Sequence, residues 1–584
     1  MRYLRLHLLF YFLVLTLTSI AQTNKFSNIN TLADLYITRY FTEYPEQSTF
    51  YGITNADNAS LSDNSLAGVK KWQNFEESLF RMLRTINKSQ LSKQDVITYG
   101  ILREQLEGDI GCQVCKRELW PIDQMGGWQV AFSDLADIQP VGNEANRNNT
   151  LIRWGKMVRY IQNEIDNLKA GLSVNFTAPK QNVKLVIEQV NDILNQPINQ
   201  SYFYTPAQKD STFSFTNALL QIIEKQIYPQ ILVYKEFLVN TYLPKAREEI
   251  SLAAMPNGAA CYKALLRSNT TLAITPEEVY IEGLKAVAKR EEKIKEIGSK
   301  LYGTTDLRKI KERIRMDTTN RFSSKEELVT FSNAAIARSK NKVPLYFGLI
   351  PAAPLEIKPM PDYQKSGSSH YNVAPDDGSH PATYYIQLYQ FNQQNKGDVE
   401  TTAFHESYPG HHLQIAISRE LVKSHPIVKY VGNSGFDEGW ARYTETLADE
   451  MALYTSDKNR LSAYGHLPTG MVVDPGIHMK RWTREQAIQY ALDKNPTWTR
   501  KTGEIYVDRI TIWPGQMTTY GVGESLFLKL RSRAQVVLGK KFDLKTFHDK
   551  CLELGTVPLN VLDQHVSDWI KKTSANIGIA NSGA

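Results

Sequence analysis

Between Ala403 and Gln414 the chain reads AFHESYPGHHLQ, which places His405, Glu406, His411 and His412 within eight residues. Imidazole nitrogens and carboxylate oxygens are the ligands that tetrahedral zinc takes when cysteine does not hold it. In the common zinc helix two histidines stand at i and i+4 on one face, and the glutamate beside the first holds the attacking water. Here Pro409 occupies i+4 from His405, and His411 and His412 fall at i+6 and i+7. On an unbroken helix i+6 points roughly 120° away and i+7 lies about 10 Å along the axis. Neither could then share an ion with His405. Pro409 itself removes that objection. It deletes the hydrogen bond to the His405 carbonyl and its ring clashes there. It also pushes Tyr408 out of helical torsions, and Gly410 accepts torsions other residues refuse. The helix is therefore expected to bulge over Ser407 to Gly410, so that His411 or His412 swings back toward His405. His411, directly after the glycine, is the first choice.

Zinc sites of this type draw a third ligand from a glutamate on a second helix, roughly 20–30 residues on. DEGWARYTE begins at Asp437, 25 residues after His412, behind a glycine-rich turn. Glu438 is the expected ligand. Glu445, two turns further, is placed to steady a ligand histidine from behind. The plainer alternative is an i,i+4 ion pair between Glu438 and Arg442.

The surrounding text is mostly helical. Leu32, Leu35, Tyr36, Tyr40 and Phe41 recur at helix spacing. Helices are also expected over 150–170, 183–194 and 217–249. Thr275-Pro276-Glu277-Glu278 spells a helix start with a capping box. The prolines between Val343 and Asn395 change the texture, and Leu345–Leu349 and Thr383–Tyr389 read as strands. The fold class is thus mainly α, a large helical body with a deep channel and a small β-sheet next to the zinc-site helix. Ten of eleven histidines lie between His370 and His565, so imidazole chemistry belongs to the C-terminal half.

Composition sets the remaining bounds. With 42% apolar and 22% charged residues the 584-residue chain is an ordinary globular one, and a net charge of +7 without a basic block excludes dedicated nucleic-acid binding. Arg2 and Arg5 precede an apolar run from Leu6 to Ile20, and Ser19-Ile20-Ala21 is a small-x-small cleavage site. Residues 1–21 are read as a signal peptide and 22–584 as a single domain, with a helical part at 22–340 and a site-bearing part at 341–584. A periplasmic or secreted protein without stable membrane insertion is expected. In such an oxidising compartment Cys112 and Cys115 are read as a local disulfide.

HESYPGHHLQ, DEGWARYTE, DPGIHMKRWTREQAIQY and DRITIWPGQMTTYGVG together resemble the bacterial domain-of-unknown-function 885 family. APDDGSHPATYYIQLY and the stretch from TYLPKAREE to TPEEVY fit it as well. That family is similar to helical zinc metallopeptidases such as the Taq carboxypeptidases, angiotensin-converting enzyme and the oligopeptidases. Dipeptidyl peptidase III tolerates a lengthened HExxGH motif in the same way. The resemblance implies a helical body split by a substrate channel. Two positions depart from the family pattern: Arg481 stands where it often has Gly, and Ile510 where it often has Tyr.

The reading that follows is a zinc-dependent peptidase. Zinc is held by His405, Glu438 and one of His411 and His412, with Glu406 as the base. The oxyanion donor is Tyr520, then His478, with Tyr384 or Tyr385 behind them. Arg509 and Arg481 offer guanidinium forks for a substrate carboxylate, unless Arg509 pairs with Asp508 or Glu504 instead. The rivals are an inactive binding protein on the same fold and a hydrolase of non-peptide amides. Oligomeric state and cleavage mode are not specified by these residues.

Overall fold

The computed structural model describes residues 28–360, 368–421, 423–495 and 498–581. The expected signal peptide lies outside them. Helices take up 71% of the chain beside one three-stranded sheet, so the protein is mainly α. Local chemistry sets several boundaries. Thr275 Oγ1 accepts from the Glu278 N–H while the Glu278 carboxylate accepts from the Thr275 N–H, and the helix so capped runs Pro276–Tyr302. The helix expected at 150–170 extends over Glu144–Ser173 and buries Trp154, Met157 and Ile161, although Ile152 faces solvent.

One expected strand is absent. Leu345 and Tyr346 close the helix Lys325–Tyr346, with Pro344 inside its last turn. A proline there costs a single helical hydrogen bond, and Val343 and Phe347 on either side are buried in the core. The sheet is built instead from β1 (Leu355–Pro359), β2 (His370–Asn372) and β3 (Ala382–Ile386), in the order β1-β3-β2. β1 runs parallel to β3, and β2 pairs antiparallel with it, Tyr371 opposite Tyr384.

Two large cores divide the helices. One contains residues from Ile29 to Leu106 together with Phe322 to Leu453 and Phe527 to Ile570. The other is made by Ile122 to Ala246. The first helices therefore pack with the site-bearing half, far along the sequence. A smaller cluster joins the two around Cys115, Trp120, Cys261, Tyr262 and Ile512. Here the cysteine expectation is corrected. Cys115 is bonded to Cys261, and Cys112 is a free thiol. Cys112 ends the helix Lys93–Cys112, whereas Cys115 turns into the buried cluster against the helix Gly258–Thr270. Their Cα atoms come within 4.8 Å, inside the span a disulfide bridges.

Five helices position the site: α1 (Lys396–Glu406), α2 (His411–Glu420), α3 (Ser434–Glu450), α4 (Arg500–Ile512) and α5 (Thr518–Leu538). α3 and α5 touch through glycines. A Cβ on Gly439 would meet the Cα of Gly523 at 2.4 Å, and one on Gly523 would meet the Gly435 carbonyl oxygen at 2.0 Å. That backbone contact sets Tyr520, one turn before Gly523, beside Glu438.

Candidate metal centre

The break falls where the proline requires it. α1 ends at Glu406 and α2 begins at His411. Its exposed backbone groups find partners: the Gly410 N–H donates to the Phe404 carbonyl (3.1 Å), the Tyr408 carbonyl accepts from Ser339 Oγ (2.6 Å), and the Pro409 carbonyl accepts from Trp440 Nε1 (3.0 Å). The need for glycine at 410 is steric. A Cβ there would stand 1.9 Å from the His405 carbonyl oxygen. The chain folds back that tightly, and the imidazoles of His405 and His411 meet edge to face with centroids 4.7 Å apart.

Glu438 reaches them from α3. Its Oε2 lies 3.6 Å from Nε2 of His405 and 3.6 Å from Nε2 of His411. One ligand atom from each of the three lies within 4.8 Å of the others. Glu438 Oε2 is buried without a hydrogen-bond partner, as is His411 Nδ1. Ligands about 2.0–2.1 Å from a tetrahedral ion stand roughly 3.4 Å apart. Two imidazoles and a carboxylate with an orphaned buried oxygen fit zinc in both donor type and spacing. Burial works to raise the Glu438 pKa, but the two imidazoles hold it well below the usual carboxylate range.

Behind the ligands stands a buried carboxylate. His405 Nδ1 donates to Glu445 Oε1 (2.9 Å), which leaves Nε2 facing Glu438. Glu445 also accepts from Arg442 Nη1 (2.7 Å), and its Oε2 lies 3.3 Å from His466 Nδ1. Arg442 thus pairs three residues along α3 with Glu445, not back to Glu438. Burial opposes a charged His405, yet Glu438 and Glu445 outweigh it and push the ring up to about 10.

Glu406 is buried beside these groups. Burial raises its pKa, and the neighbouring His405 and His411 rings pull the other way. The buried Tyr384 of β3 lies close enough for the Glu406 charge to add to its own raised pKa, after burial. Tyr520 enters from α5 with its ring stacked 6.5 Å from that of His405. Burial and then the Glu438 charge raise its pKa, so it keeps its proton. Arg509 of α4 donates from Nη2 to the Tyr520 hydroxyl (3.4 Å) and to Gln516 Oε1 (2.9 Å).

Other candidates stand elsewhere. His412 is fully buried, with Nε2 3.0 Å from the Tyr408 hydroxyl and Nδ1 3.4 Å from that of Tyr371. Burial lowers its pKa to about 4. On α2 it projects to the side away from His405, because i and i+1 differ by roughly 100° around a helix. His478 is a core residue: Nδ1 accepts from the Leu252 N–H (3.2 Å) and Nε2 donates to the Ile510 carbonyl (3.1 Å), so it has no proton to offer a substrate. Arg481 is exposed and forks onto Glu249 at 2.8 and 2.6 Å. Its φ of +58° is the left-handed region that favours glycine, the residue common at this place in the resemblance. Tyr385 stacks on His370 at 5.3 Å.

Three residues near the site were missed in the sequence. His370 bears electrostatically on Glu406, His411 on Asp437, and His466 holds Glu445. Burial lifts Asp437 to about 6. The crowding of histidines into the C-terminal half was the one signal that pointed to His370 and His466. Asp437 adjoins Glu438 in sequence, which was a signal of its own.

The family described as bacterial protein of unknown function (DUF885) matches residues 45–566. Two solved structures share the fold, both of proteins described as "putative lipoprotein". One, from Colwellia psychrerythraea, has a TM-score of 0.85 at 24% identity and covers 93% of this chain and 99% of its own. The other, from Shewanella oneidensis and of unknown function, has a TM-score of 0.72 at 19% identity and covers 92% and 99%. No curated protein matches the sequence.

Proposed function

The chain belongs to the bacterial DUF885 family of unknown function, and from the chemistry of its own site we propose that it is an exported zinc-dependent hydrolase of peptide bonds. The sequence resemblance to helical zinc metallopeptidases supports this reading. The observation that carries the proposal is Glu438 Oε2, a buried carboxylate oxygen with no hydrogen-bond partner, 3.6 Å from both His405 Nε2 and His411 Nε2. His405, His411 and Glu438 would hold the ion. Bound there, zinc supplies Lewis acidity toward a water and toward the scissile carbonyl.

The chain's own groups supply the rest. The Glu406 carboxylate takes a proton from the attacking water and hands it to the leaving nitrogen. Burial raises its pKa, which makes it a stronger base than a free glutamate. Tyr520 Oη donates its hydrogen to the oxyanion as charge develops there. Glu445 Oε1 keeps the His405 proton on Nδ1 and holds the ring in orientation. His412 serves in packing Tyr408 and Tyr371, not as a ligand.

Export is supported by the disulfide Cys115–Cys261, which belongs to an oxidising compartment. The descriptions of the two structural neighbours as lipoproteins agree. No helix among the described residues is long and apolar enough to cross a membrane. Plasma-emission analysis of the purified protein is expected to find about one zinc per chain. Glu406→Gln should keep the metal and lose roughly 10²- to 10⁴-fold in hydrolysis of a peptide library. Absence of zinc together with equal activity of the variant would refute the proposal.

A further inference from the structure

We infer that Arg509 anchors the free α-carboxylate of the substrate, so that the site releases a residue or a dipeptide from a peptide C-terminus. The inference rests on the hydrolase reading above. It starts from a guanidinium without an anion. Two carboxylates share α4 with Arg509, and both are taken. Asp508 accepts a fork from Arg484 at 2.7 and 2.8 Å, and Glu504 pairs with Arg500 at 3.2 Å. Among the described residues Arg509 has no ion pair. Its contacts are neutral: Gln516 Oε1, the Tyr520 hydroxyl, and the face of Trp513 at 5.5 Å. Its Nε is buried with no acceptor. Nη2 is used by Gln516 and Tyr520, and Nη1 has no hydrogen-bond partner among the described residues. A guanidinium presents five N–H groups in a plane suited to a carboxylate.

Position sets the length of what is bound. Tyr520 stands between Arg509 and the ligand Glu438. Two polar contacts in series span roughly 6–7 Å, and one residue of extended chain spans at most about 3.6 Å. That distance corresponds to about two residues, so a carboxylate on Arg509 stands one or two residues beyond a carbonyl at the metal centre. In the reaction the water oxygen bonds a carbonyl carbon of the last or next-to-last peptide bond and the C–N bond breaks. A water proton passes through Glu406 to the nitrogen, giving a free amino acid or dipeptide and a correspondingly shortened peptide. Arg481, the other guanidinium considered, is committed to Glu249 and takes no part.

The test separates the anchor from the hydrolysis. In Glu406→Gln protein loaded with zinc, N-acetyl dipeptides are titrated calorimetrically as free acids and as C-terminal amides. The acid should bind about 10- to 100-fold more tightly, the worth of one charge-assisted hydrogen bond. Adding Arg509→Met should bring the acid down to the affinity of the amide, with Arg509→Lys recovering part of the preference. Equal binding of acid and amide, or no binding of either, overturns the inference. Mass spectrometry of hexapeptides digested by the wild-type zinc protein should find only a C-terminal residue or dipeptide released. Internal cleavage, or amidated peptides cut as fast as free acids, overturns the anchor while leaving the hydrolase reading standing. An Arg509 that acted only through Tyr520 would slow acids and amides alike when replaced, which also overturns it.

Discussion

The sharpest dependence of the metal centre on backbone is at Gly410, where a single methyl group should disable the site. A Cβ at that position would stand 1.9 Å from the His405 carbonyl oxygen and 2.5 Å from that of Phe404, where real contacts stay above 3.0 Å. Relief from 1.9 to 3.0 Å requires α1 and the start of α2 to part by about 1.1 Å. His411 is the next residue, so the displacement falls directly on a ligand. Zinc–ligand distances tolerate about 0.2 Å. Gly410→Ala should therefore remove His411 from the ligand set and weaken zinc binding by about 100-fold or more, roughly 2.7 kcal/mol. Competition titration against a chromophoric chelator measures it, with far-ultraviolet circular dichroism to verify the fold. Gly155→Ala is the control, because a Cβ there meets nothing within 4 Å in the middle of a helix. Zinc affinity of Gly410→Ala within threefold of wild type would refute the reasoning. It would mean that the break is set elsewhere or that His411 is not a ligand.

Two further outcomes follow from packing and charge. The disulfide Cys115–Cys261 closes a loop with a sequence separation of 146, so the chain-entropy estimate of its worth is about 5 kcal/mol. Replacing both cysteines by serine should cost about 2–5 kcal/mol in denaturant unfolding while Cys112→Ser costs little, and the reverse order would restore the CxxC pairing. Glu76 is buried against Asp109, and burial followed by the Asp109 charge pushes its carboxyl up to about 9. The native state thus holds a proton that an unfolded glutamate gives up near pH ~4.3. Since the folded pKa is the higher one, stability is greatest below the unfolded value and falls as pH rises from about 5 through about 9. Glu76→Gln keeps a hydrogen-bond donor toward Asp109 without the titration, and urea midpoints across that range should lose slope; an unchanged slope would contradict it.

Local rules carried far along this chain. The capping box at Thr275 and Glu278 needs only three residues of spacing, and it starts a helix as expected. Pro409 forbids a straight helix by its own covalent ring, and α1 stops at Glu406. His405, Glu406, His411 and Glu438 could be nominated because ligand chemistry is a property of residue type, and Glu438 needed only the spacing of a second helix. Where non-local contacts decided, the sequence misled. Leu345–Leu349 has strand composition, but Val343 and Phe347 belong to a core drawn from both ends of the chain. Cys112 and Cys115 are neighbours in sequence, but the partner of Cys115 lies on another helix. His478 and Arg481 sit in a motif that resembles a family pattern, yet one is held by Leu252 and Ile510 and the other by Glu249.

The division has a physical cause. Residue type and short spacing determine which side chains can bind a metal, where a helix must break and where one begins, because those are matters of covalent geometry and of hydrogen bonds within one turn. The choice of His411 over His412 was left open at that level. Tertiary packing turns His412 onto Tyr408 and Tyr371, faces His411 to His405 and Glu438, and ties the break to Ser339 and Trp440. The same holds for Arg509. Its sequence neighbours Asp508 and Glu504 could each have neutralised it. Only the fold commits them to Arg484 and Arg500 and leaves the Arg509 guanidinium beside Tyr520 with no ion pair among the described residues, because ion pairs form between groups that packing brings within reach.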